Sequence, residues 1–230
     1  MSEHNAATLL EKIALAQNRL AQVWSQFGPQ ARVGWTGGKD STVVLHLWRE
    51  LVRSHAPDTP VQALSLDTGW KFPEVIAFRD TLARDWGIEL HVARPDIEPE
   101  LRTYPVAHDP VACCRDLKII PLQTALSSLQ CPALLTGLRA DEHTHRAQSA
   151  WWEEQTKPVH VRVAPILEWT ELDIWTYLVR TNIPWCVLYD QGYRSLGCMP
   201  CTSRSGAGER SGRDVRKEMR MEQLRSLGYF

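Results

Sequence analysis

The chain has 230 residues and a formal net charge of −1 at pH 7; 43% of its residues are apolar and 23% are charged. This length suits one α/β domain with a full hydrophobic core, and the balanced charge gives no chain-wide signal for nucleic acid or a membrane surface. No apolar run approaches the roughly 18 residues that a membrane-spanning helix needs.

The first predicted element is an amphipathic helix over residues 6–26, because apolar side chains recur there at helical spacing. This segment also carries acidic residues and does not resemble a signal peptide, so we expect a cytoplasmic protein. Six cysteines in such a chain indicate a reducing compartment. There, clustered cysteines bind metals or carry out redox chemistry more often than they form disulfides.

Strands alternate with helices along the rest of the chain. The predicted strands span 31–35, 61–66, 90–93, 133–136 and 159–163. The predicted helices span 41–54, a segment opening at Pro73, 113–129 with an interruption near Pro121, 170–180 with Thr170 as N-cap, and 214–226. This alternation predicts an α/β fold with a Rossmann-like, mainly parallel sheet, helices on both faces, and a C-terminal loop and helix.

Three predicted strands end in polar, glycine-bearing turns at 36–41, 67–69 and 137–139. The carboxyl ends of parallel strands meet at one edge of a sheet, where open α/β folds bind their ligands. We therefore expect these three turns to contribute to one site.

The first turn, Thr36-Gly37-Gly38-Lys39-Asp40-Ser41, has the residue types that hold phosphate. Its glycines allow several backbone N–H groups to face one anion, and the helix that follows adds its positive end. Lys39 can neutralise phosphate charge, and Ser41 can donate a hydroxyl hydrogen bond. The spacing of a Walker A loop is missing, and an ordinary strand-to-helix turn is the alternative.

Four cysteines form a second candidate site. Cys113 and Cys114 are adjacent, and Cys198 and Cys201 form a C-x-x-C pair. Together they offer four soft ligands, which suit a tetrahedral zinc ion or a 4Fe-4S cluster; unligated thiols are the remaining alternative. The other two cysteines follow no motif and are predicted to pack in the core.

Several segments resemble a known superfamily. The stretch Val33–Leu45 resembles the PP-loop of the adenosine-nucleotide α-hydrolases, and Leu66–Phe72 and Gly137–Glu142 resemble the catalytic subunit of bacterial ATP sulfurylase. The sequences around the four cysteines resemble the cluster ligands of bacterial APS reductases. The likeness covers roughly residues 31–213, so the chain resembles the PAPS/APS reductase and ATP sulfurylase small-subunit family.

The resemblance implies an enzyme that binds ATP, APS or PAPS, with Mg²⁺ accompanying ATP. It assigns nucleotide binding to Thr36, Gly37, Gly38, Lys39, Asp40, Ser41, Asp67, Gly137, Arg139, Arg210 and Arg213, and catalytic roles to Lys39, Asp40 and Arg139. It assigns a 4Fe-4S cluster to Cys113, Cys114, Cys198 and Cys201, with Lys118 nearby. The chain then divides into an N-terminal helix (1–30), a PP-loop nucleotide-binding α/β domain (31–190) and a cluster-binding loop with a basic tail (191–230).

The sequence departs from the reductase pattern in two places. Nothing after Cys201 is a cysteine, so the thiolate that attacks sulfur in those enzymes is missing. The first turn keeps Lys39 and Asp40, as ATP-cleaving members of the superfamily do. We therefore predict an enzyme that cleaves the α–β bond of ATP and adenylates an acceptor for sulfur insertion. The alternatives are an APS/PAPS reductase that releases sulfite with a thiol supplied in trans, and a non-catalytic nucleotide- and cluster-binding subunit.

The expected partners follow from these mechanisms. Sulfur would come from a donor such as a cysteine desulfurase, or electrons from a thioredoxin-like reductant. Residues 203–230 carry seven Lys or Arg and four acidic residues, which leaves a nucleic acid acceptor open. We expect a homo-oligomer and no membrane partner. His143 and His145 are predicted to lie in a polar loop, with a metal-binding pair as the alternative.

Overall fold

The computed structural model describes residues 7–96, 106–142, 149–206 and 208–229. The helices are α1 (Leu9–Phe27), α2 (Lys39–His55), α3 (Pro73–Trp86), α4 (Pro110–Cys114), α5 (Ile120–Ser128), α6 (Glu171–Arg180), α7 (Val215–Glu218) and α8 (Met221–Ser226). The strands are β1 (Arg32–Gly34), β2 (Val61–Leu66), β3 (Ile88–Ala93), β4 (Ala133–Leu135), β5 (Trp152–Thr156) and β6 (Val159–Val163). The pair His143 and His145 lies outside the described residues. No helix within the described ranges is both long and apolar enough to cross a membrane.

The six strands form one sheet in the order β3-β2-β1-β4-β6-β5. β1 pairs in parallel with β2 and β4, and Val33 is opposite both Ala63 and Leu135. The pairs β2–β3 and β4–β6 are also parallel, which confirms the predicted mainly parallel sheet. β5 runs antiparallel to β6, and sequence analysis missed it because the segment Trp152–Thr156 is largely polar and lies at the sheet edge.

Alternation of side chains along the strands builds a core on each face of the sheet. Ala63 and Leu135 belong to the larger core, which also includes buried side chains of α1, α2 and α6. Their neighbours Leu64 and Leu134 face the other way and pack with buried side chains of α5. The two cores place helices on both faces, as the alternating sequence predicts.

Local sequence signals explain where two of the helices begin. α1 starts after a capping box in which the side chain of Thr8 accepts from the backbone of Glu11 and Glu11 reaches back to Thr8. α6 starts after the same kind of box, with Thr170 as N-cap and Asp173 as its partner. The N-cap predicted at Thr170 is therefore confirmed.

The segment between the third and fourth strands is one distorted helical run. α4 passes into a π-helical turn at Arg115–Ile119 and then into α5, whose first turn contains Pro121. A π turn accommodates the irregular backbone that a proline imposes on a helix. The interruption predicted near Pro121 is thus a local change of helical pitch.

The C-terminal region differs from the single helix predicted over 214–226. It forms two short helices, α7 and α8, and Asp214 caps the first of them by accepting from the backbone of Lys217. Both helices contact α4. The tail is therefore packed beside the helix that carries Cys113 and Cys114.

The turn after β4 lies unusually close to the first turn of α2. A β-carbon on Gly137 would sit 2.6 Å from the backbone nitrogen of Ser41 and 2.8 Å from the carbonyl carbon of Asp40. Only a residue without a side chain permits this approach. Gly137 thereby brings the turns that follow β1 and β4 into contact.

We predict that Gly137→Ala lowers the free energy of unfolding by about 1–3 kcal/mol, because the added methyl group meets backbone atoms that cannot yield. Urea-induced unfolding followed by circular dichroism measures the change. Gly208→Ala is the matched control, since a β-carbon there would meet nothing within 4 Å. Equal stability of the two variants would contradict the close approach.

Candidate active site at the carboxyl edge of the sheet

A cavity of about 160 Å³ opens at the carboxyl edge of the sheet. Its walls come from segments that are far apart in the sequence and include Thr36, Asp40, Ser41, Gly137, Arg210 and Arg213. A second cavity, of about 130 Å³, shares Thr36, Leu196, Arg213 and Tyr229 with the first. The structure therefore brings most of the residues predicted for nucleotide binding to one place.

Internal hydrogen bonds hold the turn between β1 and α2 in shape. The hydroxyl of Ser41 lies 3.3 Å from the backbone nitrogen of Thr36 and donates to the carbonyl of Gly38 at 3.0 Å. The backbone N–H of Lys39 donates to the hydroxyl of Tyr189 at 2.9 Å. These groups stand at the positive end of α2, where an anion is stabilised by the helix and by exposed N–H groups.

Lys39 is 1% exposed and is surrounded by acceptors. Its ammonium group lies 2.5 Å from Oε1 of Glu209 and 3.4 Å from Oδ2 of Asp40, and it donates to the carbonyl of Arg194 at 3.0 Å. Burial acts to lower the pKa of Lys39, but the charges of Asp40 and Glu209 outweigh it and raise the pKa above its usual value. Lys39 is thus a charged, fully paired side chain.

Arg139 is completely buried and joins the same network. Its Nε donates to Asp40 at 2.6 Å, and its second terminal nitrogen donates to both carboxylate oxygens of Glu209 at 2.7 Å. Glu209 therefore bridges the two cations that the sequence predicts for phosphate. Sequence analysis assigned no role to Glu209, although it directly precedes the predicted ligand Arg210.

The remaining predicted anion ligands differ from each other in their pairing. Arg210 donates to both oxygens of Glu218 at 2.9 and 2.8 Å and lies 3.7 Å from Glu142. Arg213 is 7% exposed, its Nε has no hydrogen-bond partner, and one of its terminal nitrogens donates to the hydroxyl of Ser195 at 3.5 Å. A buried guanidinium with an unpaired donor is costly unless an anion completes it. Arg213 is therefore the better anion ligand of the two.

Two lysines line the second cavity together with Arg213. These are Lys71 and Lys118, and among the described residues no carboxylate forms an ion pair with Lys71, Lys118 or Arg213. The first cavity, by contrast, has the carboxylates of Asp40 and Glu142 in its wall. The two cavities therefore differ in charge: acidic groups border the first, and cations dominate the second.

Asp67 is one predicted ligand that borders neither cavity. Its carboxylate accepts from the backbone of Gly69 at 3.0 Å and lies 3.4 Å from Nε of Arg94. These contacts stabilise the turn after β2, so Asp67 shapes the loop in this conformation without facing the cavities.

The four predicted metal ligands come together beside the second cavity. Cys113 and Cys114 end α4, and Cys198 and Cys201 flank a short 3-10 turn. The backbone of Met199 is tied to the loop after β2 by a 2.8 Å bond to the carbonyl of Trp70. The hydroxyl of Thr68 lies 3.3 Å from the sulfur of Cys198, so the thiols adjoin the loop that lines the second cavity.

The electrostatics of the thiols show that they are close enough to influence each other. Burial raises the pKa of the Cys113 thiol, and the neighbouring charges of Cys114, Cys198 and Cys201 raise it further. Burial also acts to raise the pKa of Cys198, but Lys118, the hydrogen bond from Thr68 and Lys71 lower it to about 7. The lysines therefore favour a thiolate, which is the form that binds a metal.

Four cysteine thiols in one region are soft ligands of the kind that bind zinc or an iron–sulfur cluster. The other two cysteines lie elsewhere: Cys131 donates to the carbonyl of Ala133 at 3.2 Å, and Cys186 packs in a separate apolar cluster.

Tyr229 lines both cavities and lies beside Lys118 and Lys217. Sequence analysis did not assign it a role. The ammonium group of Lys217 lies 2.6 Å from its hydroxyl and 4.4 Å from its ring centre, and the ammonium group of Lys118 lies 5.6 Å from the same ring. Burial raises the pKa of Tyr229, but Lys118 and Lys217 outweigh burial and lower it to about 7.

The chain is similar to proteins of sulfur metabolism. A family model for the phosphoadenosine phosphosulfate reductase domain matches residues 30–204. The chain is 31% identical over 202 residues to adenosine 5'-phosphosulfate reductase of Bacillus pumilus, covering 84% of this chain and 83% of that protein. It is 35% identical over 193 residues to sulfate adenylyltransferase subunit 2 of Azospirillum brasilense, covering 74% of this chain and 62% of that protein.

Solved structures show the same fold. A phosphoadenylyl-sulfate reductase from Candida auris, in a phosphate complex, superposes with a TM-score of 0.69 over 86% of this chain and 98% of that one. A Candida glabrata FMN adenylyltransferase with FAD and pyrophosphate superposes with a TM-score of 0.73 over 89% of this chain and 68% of that one. Both are 19% identical to the chain, so this likeness concerns the fold alone.

We predict that one tyrosine of the metal-free protein ionises near pH 7, because Lys118 and Lys217 stabilise the phenolate of Tyr229. The phenolate form appears as pH rises through about 7, well below the usual range of tyrosine. Near-ultraviolet absorbance during a pH titration measures it. Tyr229→Phe should lose this transition while Tyr177→Phe keeps it, since burial raises the pKa of Tyr177 to about 12.

Proposed function

The chain belongs to the phosphoadenosine phosphosulfate reductase domain family, and from this premise we propose that it is an iron–sulfur enzyme that activates an acceptor for sulfur insertion. It binds ATP, cleaves the α–β phosphate bond and adenylates an oxygen of the acceptor. Two of its relatives are named adenosine 5'-phosphosulfate reductase and sulfate adenylyltransferase subunit 2.

The observation that supports the proposal most is the shared wall between the two halves of the site. Arg213 and Tyr229 border both cavities, and Thr68 in the second cavity contacts Cys198. A nucleotide that starts at the turn 36–41 and extends past Arg213 therefore ends beside the four thiols. This arrangement fits an enzyme that delivers an activated group to a sulfur-handling centre.

The residues of the first cavity divide the work of adenylation. The turn 36–41 and the hydroxyl of Ser41 hold phosphate oxygens. Asp40 and Glu142 offer carboxylate oxygens to the Mg²⁺ that arrives with ATP. The acceptor oxygen forms a bond to the α-phosphorus, the bridging α–β bond breaks, and pyrophosphate leaves with the electron pair. Lys39 and Arg139 stabilise the charge that develops on pyrophosphate.

The cluster is proposed from the donor set. Cys113, Cys114, Cys198 and Cys201 would hold it, and when bound it supplies iron as a site for the incoming sulfide. Lys71, Lys118 and Lys217 lower the pKa of Cys198 and so keep its sulfur ready to ligate. A cysteine desulfurase fits as the sulfur source.

A second candidate function is favoured by the second cavity. Its unpaired cations, Lys71, Lys118 and Arg213, suit the sulfate end of APS or PAPS, and one relative is named as an APS reductase. In this case the enzyme releases sulfite. The attacking thiol would then be supplied in trans, by a thioredoxin-like protein or a small thiol.

One assay separates the two functions. The protein is purified without oxygen and incubated either with Mg-ATP and candidate acceptors or with APS and a dithiol. Pyrophosphate release that rises with an acceptor supports adenylation, and Lys39→Met should reduce it about 100-fold by removing a charge that is proposed to stabilise the leaving pyrophosphate. Sulfite release from APS, with ATP inert, contradicts adenylation and supports the reductase.

We predict that Cys198→Ser loses most of the iron and sulfide of the purified protein, because a hydroxyl replaces one of the four soft ligands. Metal analysis and the visible absorption of the cluster measure the loss. Cys131→Ser is the matched control and should keep its iron, since Cys131 bonds to the carbonyl of Ala133 in the core. Wild-type protein that binds zinc and no iron would contradict the cluster.

A further inference from the structure

The carboxylate of Glu209 occupies the two cations that the sequence predicts for phosphate. Its Oε1 lies 2.5 Å from Nζ of Lys39, and both of its oxygens lie 2.7 Å from one terminal nitrogen of Arg139. Charge-assisted bonds of this length are the strong ones. Within the described part of the chain, the side chain of Glu209 makes its polar contacts to these two cations alone.

Neither cation forms part of the wall of the first cavity, although both contact Asp40, which does. The carboxylate of Glu209 accepts from both cations. A phosphate group can therefore bridge this pair only by taking the place of that carboxylate. The pair Lys39–Arg139 becomes available only when the carboxylate leaves.

The surrounding segment allows the carboxylate to leave without loss of the loop. Arg210, the next residue, is anchored separately by two hydrogen bonds to Glu218. The backbone N–H of Gly206 donates to the hydroxyl of Ser211 at 2.8 Å, and this hydrogen bond joins the chain on the two sides of Glu209. Rotation of the Glu209 side chain therefore breaks its own ion pairs and leaves the anchors of its neighbours intact.

We propose that Glu209 acts as an internal competitor for the phosphate site. A ligand gains the Lys39–Arg139 pair only if its own oxygens replace the Glu209 carboxylate. A phosphate chain can bridge both cations, whereas an uncharged nucleoside gains nothing from the exchange. The competitor thus weakens the binding of phosphate-bearing ligands and leaves the binding of an uncharged nucleoside unchanged. This inference rests on the proposed nucleotide site.

The test compares ATP with adenosine on the full-length, cluster-bearing protein. Glu209→Gln keeps the shape of the side chain but removes the competing charge, so its Kd for ATP should fall about tenfold. The Kd for adenosine, which has no phosphate, should stay the same. Calorimetric titrations are run with a chelator and no divalent metal, so that metal coordination by a carboxylate does not contribute. Glu222→Gln, at an exposed position of α8, is the control for an equal change in charge.

Each outcome decides one question. Tighter ATP binding with unchanged adenosine binding supports the competitor. Unchanged or weaker ATP binding by Glu209→Gln overturns it and makes Glu209 a structural partner of Lys39 and Arg139. If Glu209→Gln does not fold, Glu209→Asp applies the same test, since its shorter side chain cannot span both cations and ATP binding should again tighten. If wild-type protein binds neither ATP nor adenosine, the proposed nucleotide site itself has failed.

Discussion

Two buried cations and the carboxylates that neutralise them connect the parts of this site. Lys39 belongs to the first turn of α2, Arg139 follows β4, and Glu209 comes from the C-terminal segment. Removing a charge from water costs several kcal/mol unless an opposite charge compensates it, so each of these residues constrains the position of the others. The network therefore adds to the contacts that hold the C-terminal segment against the edge of the sheet, and this segment also carries Cys198 and Cys201.

The distribution of charge differs between the two cavities of the site. Carboxylates adjoin the first cavity and pair with Lys39, Arg139 and Arg210, whereas Lys71, Lys118 and Arg213 in the second cavity meet no carboxylate among the described residues. An anion is therefore attracted most strongly in the second cavity, close to Cys198. A ligand with a neutral part and an anionic end is oriented by this gradient before any specific contact forms.

The charges of the buried lysines and of the nearby thiols also stabilise each other. Lys217 is almost completely buried, and burial together with Lys118 acts to lower its pKa. Several cations in one apolar region repel each other unless negative charge is present. Thiolates, the phenol of Tyr229 or an anionic ligand supply that charge. The arrangement is accordingly compatible with the negatively charged metal centre that we propose, and Tyr229 lines both cavities.

The sequence alone determined the features that depend on short-range spacing. The alternation of apolar segments predicted the parallel sheet, Thr170 and Asp173 marked the start of α6, and the glycine turn at 36–41 marked the site at the carboxyl edge. The four cysteines that we propose as metal ligands stood out by their spacing. The edge strand Trp152–Thr156 was not predicted. Its largely polar sequence lacks the apolar pattern that marked the other strands, and polar residues are tolerated there because the strand lies at the edge of the sheet.

Only the tertiary structure decided which charges are available to a ligand. Lys39 and Glu209 are 170 positions apart, and no local pattern indicates that they form an ion pair. No local pattern indicates that Arg213 keeps an unpaired donor, or that two lysines lie beside the ring of Tyr229. Secondary structure follows from neighbouring residues, but the pairing of buried charges depends on distances that exist only after the chain has folded.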